Sequence, residues 1–433
     1  MTYNGFIERA GGADMQQTMD PGQFRGRIGF VMELARHLHE SGTTVNRLEG
    51  AVERASRKLG LEVGIWSSPT GIIISFNDQL NGEPFTITRV LRLHPGETNL
   101  GRMADADAIA EQVIDGRLGI ADGMERLREI DRQPPGFYRA VQAGCFGIAS
   151  AMVVCLLPGT GWNDLLTSVI LGTLIGVLTQ LGARSQQLFD AVEAIAAFMV
   201  TFAASYLASH VMPLSVNAVT ISALIILMPG LMLTTAIGEL ANQQLASGSA
   251  RFAGAVTVLL KLTFGSMLAA QFVTLLGWHN LSNSGMPALP QWMSLAMLVP
   301  GALALAVLFK THARDIPIAM LSVFLGFGVM KACSLVPGLS GGDIPIGTFL
   351  AAFAVTTASN LYARLFSRPG ALIRVPGIIL LVPGSLGFQI MNTAMTADAG
   401  YRVGIAIPLL AALSALVAGI LFGNLMVSSR RNL

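Results

Sequence analysis

Apolar and polar positions follow short, changing rhythms over the first 138 residues and then give way to long apolar runs. From Phe24 to Leu38 the apolar positions are Phe24, Ile28, Val31, Leu34 and Leu38, one stripe down an α-helix. Ser41-Gly42 ends it, because glycine readily takes the left-handed conformation past a helix C-terminus. Thr43 or Thr44 can cap a second helix, whose stripe is Val45, Leu48, Val52, Ala55 and Leu59, stopped by Gly60. A period of two then takes over: Leu61, Val63 and Ile65 alternate with Glu62 and Gly64. Ser68-Pro69-Thr70-Gly71 reads as a turn, Ile72 to Phe76 as a second strand, and Phe85 to Leu93 as a third. Two further helices are expected at about 98–115 and 119–131, giving the order α-α-β-β-β-α-α. Pro134-Pro135-Gly136 makes a stiff joint to the apolar part of the chain.

A helix needs about 20 apolar residues to cross the hydrocarbon core. Ten stretches qualify, roughly 139–157, 163–181, 189–209, 215–236, 252–277, 292–310, 316–335, 343–362, 372–391 and 402–426. Orientation follows from Lys and Arg near their ends. With the N-terminus in the cytoplasm, the inner ends carry Arg139, Arg184, Arg251, Lys310, Arg314, Arg364, Arg368, Arg374, Arg430 and Arg431. The outer ends carry only Lys331 and Arg402, so both termini are expected inside, with the chain multi-pass in the cell (inner) membrane.

Charge sharpens this division. The chain is 12% charged and 52% hydrophobic, and residues 1–138 hold 34 of the 54 Asp, Glu, Lys and Arg residues. The two parts are built for two solvents: a soluble domain, 1–138, and a bilayer part. A net charge of +2 argues against a nucleic-acid partner. Cys145, Cys155 and Cys333 lie in apolar runs, with neither a disulfide framework nor a metal site. The polar start lacks the apolar core of a cleavable signal peptide.

The membrane part repeats itself. Pro-Gly follows an apolar residue at Leu157-Pro158-Gly159, Met228-Pro229-Gly230, Val299-Pro300-Gly301, Val336-Pro337-Gly338 and Val382-Pro383-Gly384. The clearest match sets Leu224–Leu231 of the fourth stretch beside Ile378–Leu386 of the ninth. A weaker one sets Asp190 and Ala196-Ala197-Phe198 beside Asp343 and Ala351-Ala352-Phe353. Five helices repeated as five must insert with opposite orientation, because five is odd; inverted repeats are a common plan of secondary transporters. The expected fold is therefore an all-α polytopic membrane protein of about ten transmembrane helices. They form a 5+5 inverted repeat, 139–280 and 281–433, behind a small α+β soluble N-terminal domain.

Specific segments carry a resemblance. His39-Glu40-Ser41-Gly42-Thr43-Thr44-Val45-Asn46-Arg47-Leu48-Glu49, then Leu59-Gly60 and Ser68-Pro69-Thr70-Gly71, resembles the start of the threonine/serine exporter family. Leu361-Tyr362-Ala363-Arg364, Arg368-Pro369 and Leu380-Leu381-Val382-Pro383-Gly384-Ser385 resembles its second half. In that family the second half also occurs as a separate small membrane protein, and split pairs are linked to dicarboxylate export. The resemblance implies a ten-helix exporter with a cytoplasmic N-terminal domain, driven by membrane potential or a proton gradient. It leaves the substrate open between small amino acids (threonine, serine) and dicarboxylates.

Candidate chemistry is sparse. No GxxxxGK[ST] loop is present, so ATP does not power transport within this chain. No cofactor is expected. The expected partners are a small amino-acid substrate, protons and the lipid bilayer, and a homo-oligomer stays open. Helices broken at Pro229-Gly230 and Pro383-Gly384 would expose N–H groups suited to a substrate carboxylate, or would only kink the packing. Ionisable residues within a span are functional candidates by default. They are Glu193 and Asp190, which share a face of the third helix, Lys261 in the fifth, and Asp343 opening the eighth. Glu193 is the proton-coupling candidate. Asp190 and Asp343 also suit helix starts, and Lys261 suits snorkelling, a substrate carboxylate or a structural pair with Glu193. Arg47 and Glu49 suit a solvated helix face with local ion pairs or, alternatively, a regulatory or gating contact, and turn chemistry accounts for Ser68 and Thr70. The latter residues do not make a membrane-anchored hydrolase, since no GxSxG elbow surrounds the serines.

Overall fold

The computed structural model describes residues 21–80, 83–130, 136–279, 281, 287–336, 345–382, 384–389 and 399–428. The soluble part follows the expected order: α1 (Pro21–Glu40), α2 (Val45–Lys58), β1 (Glu62–Ser68), β2 (Gly71–Leu80), β3 (Glu83–Arg92), α3 (Leu100–Ile114) and α4 (Ile120–Glu129). The strands form an antiparallel meander, β1-β2-β3, with Ser68 opposite Gly71 at the first turn. Period-two alternation buries Ile72, Ile74 and Phe76 on one face of the sheet. There they meet the α1 stripe of Ile28, Val31, Leu34 and Leu38 and the α2 stripe of Leu48, Val52 and Ala55. Gly42 and Gly60 take positive φ, 76° and 72°, and end α1 and α2 as their positions foretold.

Among the described residues of the second part, eight helices are long and apolar enough to span a bilayer. They lie in α5 (Gly136–Leu156), α6 (Trp162–Gly182), α7 (Gln186–His210), α10 (Leu245–Leu275), α11 (Gln291–Leu308), α12 (Ile316–Ser334), α13 (Ile346–Phe366) and α16 (Ala399–Met426). The fourth and ninth stretches are not continuous spans. The fourth is split into α8 (Val216–Leu224) and α9 (Gly230–Ala241). The ninth is split into α14 (Ala371–Ile379) and helical residues 384–389 (α15). Ten stretches are thus eight whole helices and two broken ones. Each break falls at Pro-Gly, where proline lacks the N–H that a continuing helix requires.

These helices are apolar outside and small or polar inside, the pattern of packing in lipid. On α6, Leu166, Ile170, Leu174, Val177 and Leu181 form one exposed apolar stripe, while Thr167, Ser168, Gly172 and Gly176 are buried. A methyl on Gly176 would stand 2.8 Å from Ala143 Cα, so α5 and α6 meet through small residues. Trp162, Trp278 and Trp292 sit at the ends of α6, α10 and α11 that lie away from the soluble domain, where an aromatic belt belongs.

The packing of α5–α10 recurs in α11–α16. The third and fifth members lie together (α7 with α10, α13 with α16), and the first half of each broken member packs on the second and third (α8 on α6 and α7, α14 on α12 and α13). The detail recurs too. Gly265 of α10 abuts Ala197 of α7, and Gly419 of α16 abuts Ala352 of α13. Phe198 stacks on Phe202 at 5.7 Å with Phe272 edge-on, and Phe349 stacks on Phe353 at 6.4 Å with Phe422 edge-on.

Candidate functional site

The two breaks have the same local geometry. Before the first, Leu227 N–H donates to Leu224 O (2.9 Å), and Gly230 N–H donates to Met228 O (2.9 Å), closing a three-residue turn. Before the second, Leu381 N–H donates to Ile378 O (2.8 Å) and Gly384 N–H to Val382 O (2.9 Å). Tertiary packing brings them together. A methyl on Gly230 would stand 3.1 Å from Gly384 Cα and overlap Val382; a methyl on Gly384 would stand 3.1 Å from Gly230 Cα. Only glycine lets two backbones approach this closely. Pro229 is the N-cap of α9, and the α9 N-terminus, with its positive dipole end, opens at the seam. Pro383 and Asp343 lie outside the described residues.

The ionisable candidates lie elsewhere. Lys261 Nζ donates to the Asp190 carbonyl at 2.7 Å and stands 3.5 Å from Glu193 Oε2. Asp190 Oδ1 accepts from Gln186 at 3.2 Å, within the first turns of α7. Although Lys261 is near the middle of α10, that helix has 31 residues and, at about 1.5 Å each, overhangs a core of about 30 Å. Its partners place Lys261 level with the start of α7, with 35% of its side chain exposed. Leu259, two positions earlier, faces the second break: a methyl on Gly387 would stand 3.3 Å from it. The structure therefore joins Glu193 and Lys261 to each other but not to the Pro-Gly seam.

Arg374 is a residue whose place the sequence hid. It counts there as an inner-end charge, yet it lies within α14, after the buried Leu372 and Ile373. Its Nη2 donates to Asn360 Oδ1 at 2.8 Å, and its Nε is buried without a hydrogen-bond partner among the described residues. Asn360, 1% exposed, spends its amide on Asn424 Oδ1 (3.0 Å) and Val427 O (2.7 Å), which fixes its oxygen toward Arg374. Its position inside an apolar half-helix was the available signal.

The soluble domain is docked on one end of the helices. Glu239 of α9, 3% exposed, accepts from Val45 N (3.2 Å) and Ser247 Oγ (2.7 Å) and pairs with Arg251 Nε (3.1 Å). Glu49 Oε1 accepts from Ser67 N (2.8 Å), and its Oε2 accepts from Gln244 Nε2 (3.4 Å); burial raises its pKa. Arg47 is half-buried within electrostatic range of Arg374, and burial lowers its pKa to about 10. Arg47 and Glu49 are thus not on a solvated face. They point at the membrane part, because Glu239 and Gln244 hold the start of α2 there. Leu100 N–H and Gly101 N–H donate to Phe309 O (2.9 Å) and Lys310 O (3.1 Å), and His312 bonds Asp105 at 2.9 Å. Buried Asp315 ties Arg368 and Arg314 beneath this contact. Ser67 bonds Glu49 and Ser68 bonds Gly71 O, so both hydroxyls serve the turn and the docking. Among the described residues no His, Cys, Asp and Glu group could hold a metal.

Comparison with known proteins gives this geometry a context. A family model described as "Putative threonine/serine exporter" matches residues 29–273, and one described as "Threonine/Serine exporter, ThrE" matches residues 294–426. An uncharacterized protein of Schizosaccharomyces pombe is 26% identical over 387 residues, covering 86% of this chain and 45% of its own length. A pheromone-regulated membrane protein 10 of Saccharomyces cerevisiae is 25% identical over 393 residues, covering 86% of this chain and 49% of its own. The chain spans about half the length of these curated relatives. No solved structure matches. With eight apolar spans, two paired breaks and both family halves on one polypeptide, the chain belongs to the threonine/serine exporter family.

Proposed function

We propose that this chain is a secondary transporter that exports small amino acids such as threonine and serine, driven by a proton gradient or the membrane potential. The contact between the two Pro-Gly breaks carries the reading, with Gly230 seated against Gly384 and the same turn on each side. Broken helices that meet in the middle of a bundle expose helix-end dipoles where a substrate's charged groups can sit. The recurring helix packing supports ten spans, 139–280 and 281–433, as two five-helix units of opposite orientation. The Lys/Arg bias supports a cytoplasmic soluble domain and C-terminus in the inner membrane. In this reading the breaks hold the substrate, and Glu193, paired with Lys261, takes up the coupling proton. Asp190 gives Lys261 its carbonyl. A dicarboxylate is the second candidate cargo, favoured by the positive charge of Arg374 inside α14.

Reconstitution tests this directly. Purified protein in vesicles should move threonine and serine faster than succinate, and an imposed proton gradient or potential should drive accumulation. Equal, gradient-independent leakage of all three solutes would mean a passive pore instead.

A further inference from the structure

We propose that Arg374 and Arg47 together form a binding site for the substrate's carboxylate, under the soluble domain at the mouth leading to the second break. The cargo role rests on the exporter reading, while the site itself rests on the bond of Arg374 to Asn360 and its unpartnered Nε edge, with Arg47 in electrostatic range.

Arg374 is held rather than loose. Asn360 receives one N–H of its guanidinium, and Asn360 is itself locked by Asn424 and Val427. The Nε edge remains buried without a partner among the described residues. Arg374 is half-buried, and an arginine edge held out of water ordinarily takes a carboxylate, because an unpaired charge out of water is costly. Among the described residues no acid bonds Arg374: buried Asp315 is committed to Arg314 and Arg368, and buried Glu239 to Arg251, Ser247 and Val45 N. The nearby charge is instead a second cation, Arg47, brought in from the soluble domain by the docking of α2. Burial already presses Arg47 toward losing its proton. Two guanidinium groups within electrostatic range repel each other, and an anion bound between them would relieve that repulsion. A carboxylate fits this arrangement, since its two oxygens can accept from the two forks at once.

The position suits cargo. Arg374 lies on the half-helix that runs into the Val382–Gly384 break, which touches Gly230. Leu100 and Met103 of α3 pack on Ala371 and Leu372 one turn before it, so the soluble domain roofs this mouth. A structural anchor would account for the Asn360 bond. It gives no reason for the free Nε edge or for a second arginine beside it.

Equilibrium binding on the purified full chain, with threonine, succinate and threoninol as probes, decides the matter. Threoninol keeps the ammonium and the side-chain hydroxyl of threonine but carries an alcohol in place of the carboxylate. The wild type should bind threonine at least tenfold more tightly than threoninol. Arg374→Gln and Arg47→Gln should each erase most of that preference, and Arg374→Lys should restore part of it. A purely structural arginine would change the melting temperature without changing the threonine-to-threoninol ratio. Should Arg374→Gln fail to assemble, Arg47→Gln, outside the spans, decides alone. Binding of succinate but not threonine, lost in the same variants, upholds the site and removes the amino-acid reading. Equal binding of threonine and threoninol, no binding of any probe, or wild-type preference in well-folded Arg47→Gln overturns the site and leaves the exporter reading to the flux assay.

Discussion

Removing the Glu239 carboxylate should loosen the start of α2 from the membrane helices. The carboxylate is 3% exposed, accepts hydrogen bonds from Val45 N (3.2 Å) and Ser247 Oγ (2.7 Å), and forms an ion pair with Arg251 Nε at 3.1 Å. Hydrogen bonds involving a charged group are worth about 1.5–3 kcal/mol each, but they do not add when one group makes them all. The better guide is the cost of stranding a buried partner. The Arg251 side chain is 15% exposed and would keep its charge without Glu239, which places Glu239→Ala at about 3–5 kcal/mol. Glu239→Gln retains the acceptor for Val45 N–H and loses the ion pair, so about half that cost is expected. Ser247 and Arg251 share the membrane helices with Glu239, and only the Val45 N–H bond crosses to the N-terminal domain. Docking itself therefore loses about 1.5–3 kcal/mol, which at about 1.4 kcal/mol per tenfold is about ten- to a hundredfold. Hydrogen exchange at Val45–Leu48 reads this locally, because the Val45 amide itself is a donor to Glu239. Exchange there should accelerate by about one to two orders of magnitude, while the core strand β2 stays protected. Unchanged protection of Val45 in Glu239→Ala would refute this: the soluble domain would then be held by contacts other than Glu239.

Gly230→Val should overpack the seam against Val382 and Gly384, at a cost of about 1–3 kcal/mol. Normal expression with flux reduced at least tenfold is expected, and wild-type flux would show that the seam opens freely. Glu193→Gln keeps size and hydrogen bonding but removes the charge beside Lys261. It should abolish gradient-driven export while sparing exchange of labelled substrate; an unchanged pH dependence would make Glu193 a packing residue. His312 has its pKa raised, chiefly by its hydrogen bond to Asp105. Its docking contribution is therefore full below the ordinary histidine value and fades as pH rises through the elevated one. Hydrogen exchange at Leu100 and Gly101, whose amides bond Phe309 O and Lys310 O, should speed up over that window in the wild type and lose that pH dependence, beyond the intrinsic one, in His312→Gln.

Much of this architecture is legible in the sequence because its causes are local. A bilayer demands about 20 apolar residues per crossing, a meander strand alternates, and Pro-Gly weakens a helix by removing an N–H donor. Hence α1 to α4 and most of the strands and whole spans lie close to their expected bounds, though α10 starts at Leu245 rather than 252 and β2 runs on to Leu80. Both broken spans break at a Pro-Gly, while Pro300-Gly301 and Pro376-Gly377 stay within unbroken helices. Pairings between distant residues have no local cause, and those the fold alone decides. Whether Gly230 touches Gly384 depends on how the two broken helices pack together. Lys261 looks central if α10 is a span of ordinary length, and its partners on α7 move it toward the edge. Arg374 looks like an end charge because α14 is too short to read as a span. Glu239 gives no signal in the sequence because its partner, Val45 N–H, belongs to a domain 194 residues earlier in the chain. Periodicity records which solvent a residue faces, and only the folded chain records which residue it meets there.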